Sequence, residues 1–364
     1  AGSGLTALVT GGEETLVGVG LFPFAAVEGG GFVADGNVGG YGINVAASST
    51  GASAQVFLAN VTANSNTQDG INVAAVGHDG AQLILGSYLS SNSAPVTAIG
   101  NGIDGVRVLA VAEEDEALML VADVTTSRNA GNGLNLSLQG RDGASLITGI
   151  GSSGGTNILL RPVVANNNGF NGMLLNVSSS TGEALLVMTE FVANSNSAAG
   201  VSAFVTAYSN VQLNVGALEG VGIPLAVQGA GQAISNGLDG LNLQVVSLAG
   251  SVTALVAHVT ANRNLGDGAE INLTAADGIV ATLRDSAFHN NDAAGFLLQY
   301  AGGTSEYVLV ENVAANGNGE ANRAQSLGGS DGSSALLIRN VTASTNSATV
   351  GLIAHALSDG SATV

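Results

Sequence analysis

A phrase close to V-T-A-N-x-N, followed by D-G-I-N-V, returns along the whole chain at intervals near 28 residues. It first reads VTANSNTQDGINV from Val61, and variants return at Val124, Val163, Phe191, Val259, Ala287, Val313 and Val341. Self-similarity at this period marks a solenoid, in which each turn buries its apolar face only against its neighbours. A single compact core is overextended at 364 residues, whereas a solenoid grows along its axis. The expectation is one β-solenoid domain over 1–364, with strand and insert material over 1–30, coils with alternating inserts over 31–240, and regular coils over 241–364.

Within each repeat, apolar residues alternate after an anchor glycine: Ile43 and Val45, Ile71 and Val73, Leu134 and Leu136, Leu241 and Leu243, Ile271 and Leu273. A period of two puts these side chains on the inner face of a strand. About ten residues on comes a turn written Asp79-Gly80, Asp142-Gly143 or Asp277-Gly278. Asp bonds its own backbone there and Gly takes positive φ freely. A second strand follows, then a third that carries V-T-A. Three short strands per turn, and about twelve turns of 28 residues, predict an all-β parallel β-helix.

The N-x-N corner falls into columns when coils stack at the ~4.8 Å strand spacing. One column reads Asp35, Asn64, Asn92, Ser127, Asn166, Asn194, Asn262, Asn290, Asn316 and Ser344. Its neighbour reads Asn37, Asn66, Asn129, Asn168, Asn196, Asn264, Asp292, Asn318 and Asn346. Stacked amides donate to one coil and accept from the next, so a structural ladder is the expectation.

V-T-A-N-x-N followed by D-G-I-N-V is similar to the right-handed parallel β-helix repeat of pectate-lyase-like folds and large bacterial surface proteins, over roughly residues 30–356. The resemblance implies a right-handed coil. That family contains lyases, hydrolases, epimerases, adhesins and phage spikes, so fold alone selects no function.

A second rhythm lies inside the first. Anchor glycines stand at Gly42, Gly70, Gly105, Gly133, Gly172, Gly200 and Gly240, with steps alternating between 28 and 35 to 40 residues. Every second coil therefore carries an insert, and Pro23, Pro95, Pro162 and Pro224 sit in or beside them. The inserts are apolar (LFPFAAV, APVTAI, NILLRPVV, GIPLAV). Two readings stand: each insert shields its own coil, or together they form a lateral contact ridge through Pro95, Val96, Ile158, Leu159, Pro162, Ile223, Pro224 and Leu225.

The chemistry on offer is sparse. A net charge of -19, with 27 acidic residues against eight Arg and no Lys, opposes nucleic acid and anionic membranes. There is no Cys, and Leu16 to Val27 is too short and too broken by Gly and Pro to span a bilayer. The eight Arg scatter over different repeat positions, and so do His78, His258, His289 and His355, which suggests neither a basic groove nor a metal cluster or triad. The run Glu113-Glu114-Asp115-Glu116 reads first as a solvated turn without a basic or His partner, and second as a cation site or half of a catalytic face. Asp69 with Asp104, and Asp239 with Asp267, fall on adjacent coils; they read first as turn-stabilising residues and second as Ca²⁺ ligands. No catalytic residue and no cofactor is assigned. Sequons at Asn60, Asn135, Asn176, Asn272 and Asn340 arise from the N-V-T and N-L-S strand phrases themselves.

AGSGLTALVT lacks a basic n-region and an initiator Met and reads as a mature or excised chain. Neither it nor LIAHALSDGSATV resembles a cap, so the chain reads as a segment of a longer repeat protein or as a subunit that stacks head to tail. The leading expectation is a non-enzymatic structural subunit of an extracellular filament, sheath or cell-surface fibre, with itself as partner and no membrane insertion. The alternatives are a surface adhesin binding glycans and a polysaccharide lyase or hydrolase.

Overall fold

A computed structural model describes residues 2–20, 32–87, 95–152, 158–218, 227–327, 333–348, 350–357 and 361–364. The described residues are all-β, and none of them forms a helix long and apolar enough to cross a membrane. The chain divides into two compact units, Ala1–Ser180 with Glu190–Val192, and Thr181–Thr189 with Ala193–Val364.

In the first unit, strands one repeat apart pair in parallel. The D-G-I-N-V phrase forms Leu5–Gly11, Ile43–Ser49, Ile71–Gly77, Val106–Ala112, Leu134–Gly140 and Met173–Ser179, each paired with the next. Register places Ile43, Ile71, Val106, Leu134 and Met173 in one buried column. A second series runs through Thr15–Gly20, Ser53–Ala59, Gly80–Gly86, Glu116–Ala122 and Gly143–Thr148. The V-T-A phrase forms the third, from Phe32–Val33 to Val163–Asn166. Parallel stacking of successive repeats is a β-solenoid.

The second unit repeats the scheme from Val201–Ala207 to Leu352–His355 and from Glu183–Met188 to Ala362–Thr363. It departs from three short strands per coil in one respect. Gly278–Ala287 and Ser305–Ala314 are ten-residue strands in which the second and third merge.

The inserts leave the coil by a one-residue change of backbone. Regular coils turn left-handed at Asn60 (φ 53), Asp123 (φ 59) and His258 (φ 56). Inserted coils turn one register position earlier, at Gly86 (φ 78), Gly149 (φ 83) and Gly216 (φ 78). A Cβ on Gly86 or Gly216 would collide with the carbonyl oxygen of Ala122 or Ala257, so glycine is required. Two inserts then begin antiparallel hairpins, Ile150–Ser152 with Ile158–Leu160 and Ala217–Leu218 with Val227–Gln228.

A second apolar layer lies outside the second series of strands. Phe57, Ile84 and Leu120 alternate with the inward Val56, Leu83 and Met119 and so point away from the interior, yet they are only 8%, 4% and 5% exposed. In the second unit, outward Leu255 is buried against Ala217 of the insert hairpin. Ala217 of the insert thus supplies part of the cover over Leu255, while Phe57, Ile84 and Leu120 pack on one another and on Leu118 and Ile147.

Candidate functional site

The corner columns are the densest polar arrangement in the fold. In the first unit, the backbone N–H and Nδ2 of Asn37 both donate to Oδ1 of Asn66, at 3.0 and 2.7 Å. Asn66 donates in the same way to Asn101, Asn101 to Asn129 and Asn129 to Asn168, all within 3.2 Å. The second Nδ2 hydrogen reaches a backbone carbonyl, Ala34 from Asn66, Ala63 from Asn101 and Ala98 from Asn129. In the second unit, Asn196, Asn236, Asn264, Asn291 and Asn318 are joined likewise, and the N–H of Asn318 reaches Asn346 at 2.9 Å. Asn66, Asn168, Asn196, Asn264 and Asn318 are buried, and a buried amide that is hydrogen-bonded escapes most of its desolvation cost.

The outer column runs in the opposite sense. Asn64 Oδ1 accepts from Ile99 N–H, Asn194 Oδ1 from Ile234 N–H, Asn262 Oδ1 from His289 N–H and Asn316 Oδ1 from Ser344 N–H. Asn166 ends its strand with its carbonyl accepting from Arg128 N–H. Column assignments differ from expectation in three coils. Asn101 and Asn236 belong to the inner column, although Ile99-Gly100-Asn101 and Ile234-Ser235-Asn236 lack the first Asn of N-x-N. The coil from Gly268 to Gly295 is 27 residues, so Asn291 replaces Asp292 and His289 replaces Asn290, which is the left-handed residue between them (φ 56). Asn92 lies outside the described residues. The signal for the missed positions was the fixed four-residue spacing from inner Asn to anchor glycine, as in Asn66 to Gly70, Asn101 to Gly105 and Asn236 to Gly240.

The Asp of D-G-I-N-V makes a third column. Asp69 Oδ1 accepts Asp104 N–H at 2.8 Å, and Asp104 accepts Asn132 N–H at 2.7 Å and Asn135 Nδ2 at 2.8 Å. Burial pushes the Asp69 carboxyl upward, reinforced by Asp104 and opposed by the Asp104 N–H and by Arg107. In the second unit, Asp239 Oδ1 accepts Asp267 N–H and Asp267 Oδ1 accepts Ala294 N–H, at 2.8 and 2.7 Å. Here Glu270, an outward strand residue that the phrase did not single out, brings a third carboxylate oxygen within 4.8 Å of those of Asp239 and Asp267. Burial, then the charges of Asp239, Glu270 and Glu320, push Asp267 up to about 6 against the Ala294 N–H. These three carboxylates are the group among the described residues that could share a cation.

The acidic turn has partners that the sequence reading did not assign. His78 Nδ1 is 3.6 Å from Glu113, and Arg141 pairs with Glu114. The partners sit at the same turn one coil either side, a proximity set by stacking. Beside them, a groove of about 230 Å³ is lined by Glu113, Gln139, Arg141 and Ser178 to Ser180 over Val111, Ala112 and Gly140.

Of the residues assigned to lateral contact, Pro95 and Pro162 are exposed and Leu159 is half-buried. Val96 is fully buried between Val61 and Val124, because it is the inward residue of a V-T-A strand. Ile158 lies in the hairpin strand Ile158–Leu160, and Ile223, Pro224, Leu225 and Pro23 fall outside the described residues.

Fold and columns together define a parallel β-solenoid repeat protein. No protein-family model, curated protein or solved structure matches the chain.

Proposed function

We propose that the protein is a non-enzymatic structural subunit of an extracellular filament, sheath or cell-surface fibre, assembling head to tail as a right-handed β-helix of the pectate-lyase type with about twelve coils. The observation that supports this is the buried Asn column, which ties successive coils together through side chains as well as strands within each unit.

The deep Asn columns supply continuous hydrogen bonding along each unit, which suits a load-bearing role.

Negative-stain microscopy with sedimentation across a concentration series tests the reading. Fibres that lengthen with concentration are the expected result. Monomers at every concentration overturn it.

A further inference from the structure

The groove beside the acidic turn has a local cause. The three-residue turn Glu113 to Asp115 adjoins, one coil on, the two-residue turn Arg141-Asp142. A long turn beside a short one leaves a step in the surface. The short turn depends on Gly140, where a Cβ would collide with the carbonyl oxygen of Gly143, so the floor of the step carries no side chain at that point. Ser178, Ser179 and Ser180 close the far side.

We infer that this groove is a binding site for one neutral saccharide unit, independent of the assembly reading. Its volume of about 230 Å³ lies below the usual range for drug-sized ligands and suits a single sugar ring. Its walls offer hydrogen bonds of both senses, as a polyhydroxylated ring requires: the Gln139 amide and the Ser180 hydroxyl donate and accept, the Ser178 and Ser179 hydroxyls, which donate to the Leu138 and Arg141 carbonyls, accept, and Glu113 accepts. Val111, Ala112 and Gly140 give an apolar floor for the C–H face of a ring. Acidic sugars are disfavoured, because Arg141 is already paired with Glu114 while Glu113 faces the groove. Gln139, Arg141 and Ser180 are exposed, so a ligand reaches them without rearrangement.

Titration of the full chain with neutral oligosaccharides and with an oligogalacturonate, followed by TROSY NMR, tests the site. We expect shifts confined to residues 111–113, 139–141 and 178–180 from at least one neutral sugar, with a dissociation constant of about 1–10 mM. Gln139→Ala should weaken binding at least tenfold, and Ser180→Trp should block it, both with unchanged strand circular dichroism; Glu311→Gln, in the other unit, should bind as wild type. No shifts from any neutral sugar, shifts elsewhere, equal binding by Ser180→Trp, or preference for the uronate overturns the assignment.

Discussion

The side-chain amide of Asn101 lies 2.9 Å from Oδ1 of Asn129, one coil on, and both residues are 2% exposed. Oδ1 of Asn101 meanwhile accepts two bonds from Asn66, and its second Nδ2 hydrogen goes to the Ala63 carbonyl. Each position therefore needs a donor and an acceptor on one side chain. Asp supplies only the acceptor.

Asn101→Asp should accordingly be severe. It turns two donors into an anion facing the oxygens of Asn129 and Ala63, and an unpaired buried charge costs about 3–5 kcal/mol. Asn64→Asp, in the half-exposed outer column where Oδ1 alone is used, should cost under about 1 kcal/mol. Urea unfolding with hydrogen exchange at the flanking coils makes the comparison; equal losses would refute the ladder as a source of stability.

Gly86→Ala should destabilise by about 2–3 kcal/mol or more, since φ is 78 and a Cβ would strike the Ala122 carbonyl. Asn60→Gly, at the ordinary left-handed corner, should change stability by less than about 1 kcal/mol. Thermal denaturation of the two variants decides whether the early glycine directs the insert.

Asp267 gives a pH signature. Its folded-state value, about 6, lies above the ordinary 3.8. The protonated form is favoured by folding, so its contribution is fully present below about pH 3.8 and is lost as pH rises through about 6. Asp267→Asn keeps the acceptor for Ala294 N–H and removes the charge. It should raise Tm at pH 7.5, with the gain shrinking toward zero near pH 4; a pH-independent difference would contradict the carboxylate crowding.

Leu120→Ala should cost about 2–4 kcal/mol, the penalty of a core truncation, although strand alternation marks it as a surface residue. A loss below about 0.5 kcal/mol in urea titration would mean that nothing packs over the outer face.

The period, the inward columns and most of the N-x-N corners were legible because they are local: alternation of two, a turn dipeptide and a repeated phrase set each coil without reference to its neighbours. Ile43, Ile71 and Leu134 were identified as inward residues and are fully buried. Asn101 and Asn236 were hidden because their coils write the corner differently, and Asn291 because a 27-residue coil shifts the frame by one. Val96 looked like an insert residue because APVTAI merges an insert with the V-T-A strand.

By itself the sequence determined the repeat, its strands and the charge that narrows its partners. Tertiary structure alone decided what lies across coils: His78 and Arg141 beside the acidic turn, Glu270 beside Asp239 and Asp267, and Phe57, Ile84 and Leu120 packed together in a buried outward cluster. The physical reason is distance along the chain. Residues 27 to 36 positions apart become neighbours only when one coil stacks on the next, and the register of that stacking depends on the length of every insert between them.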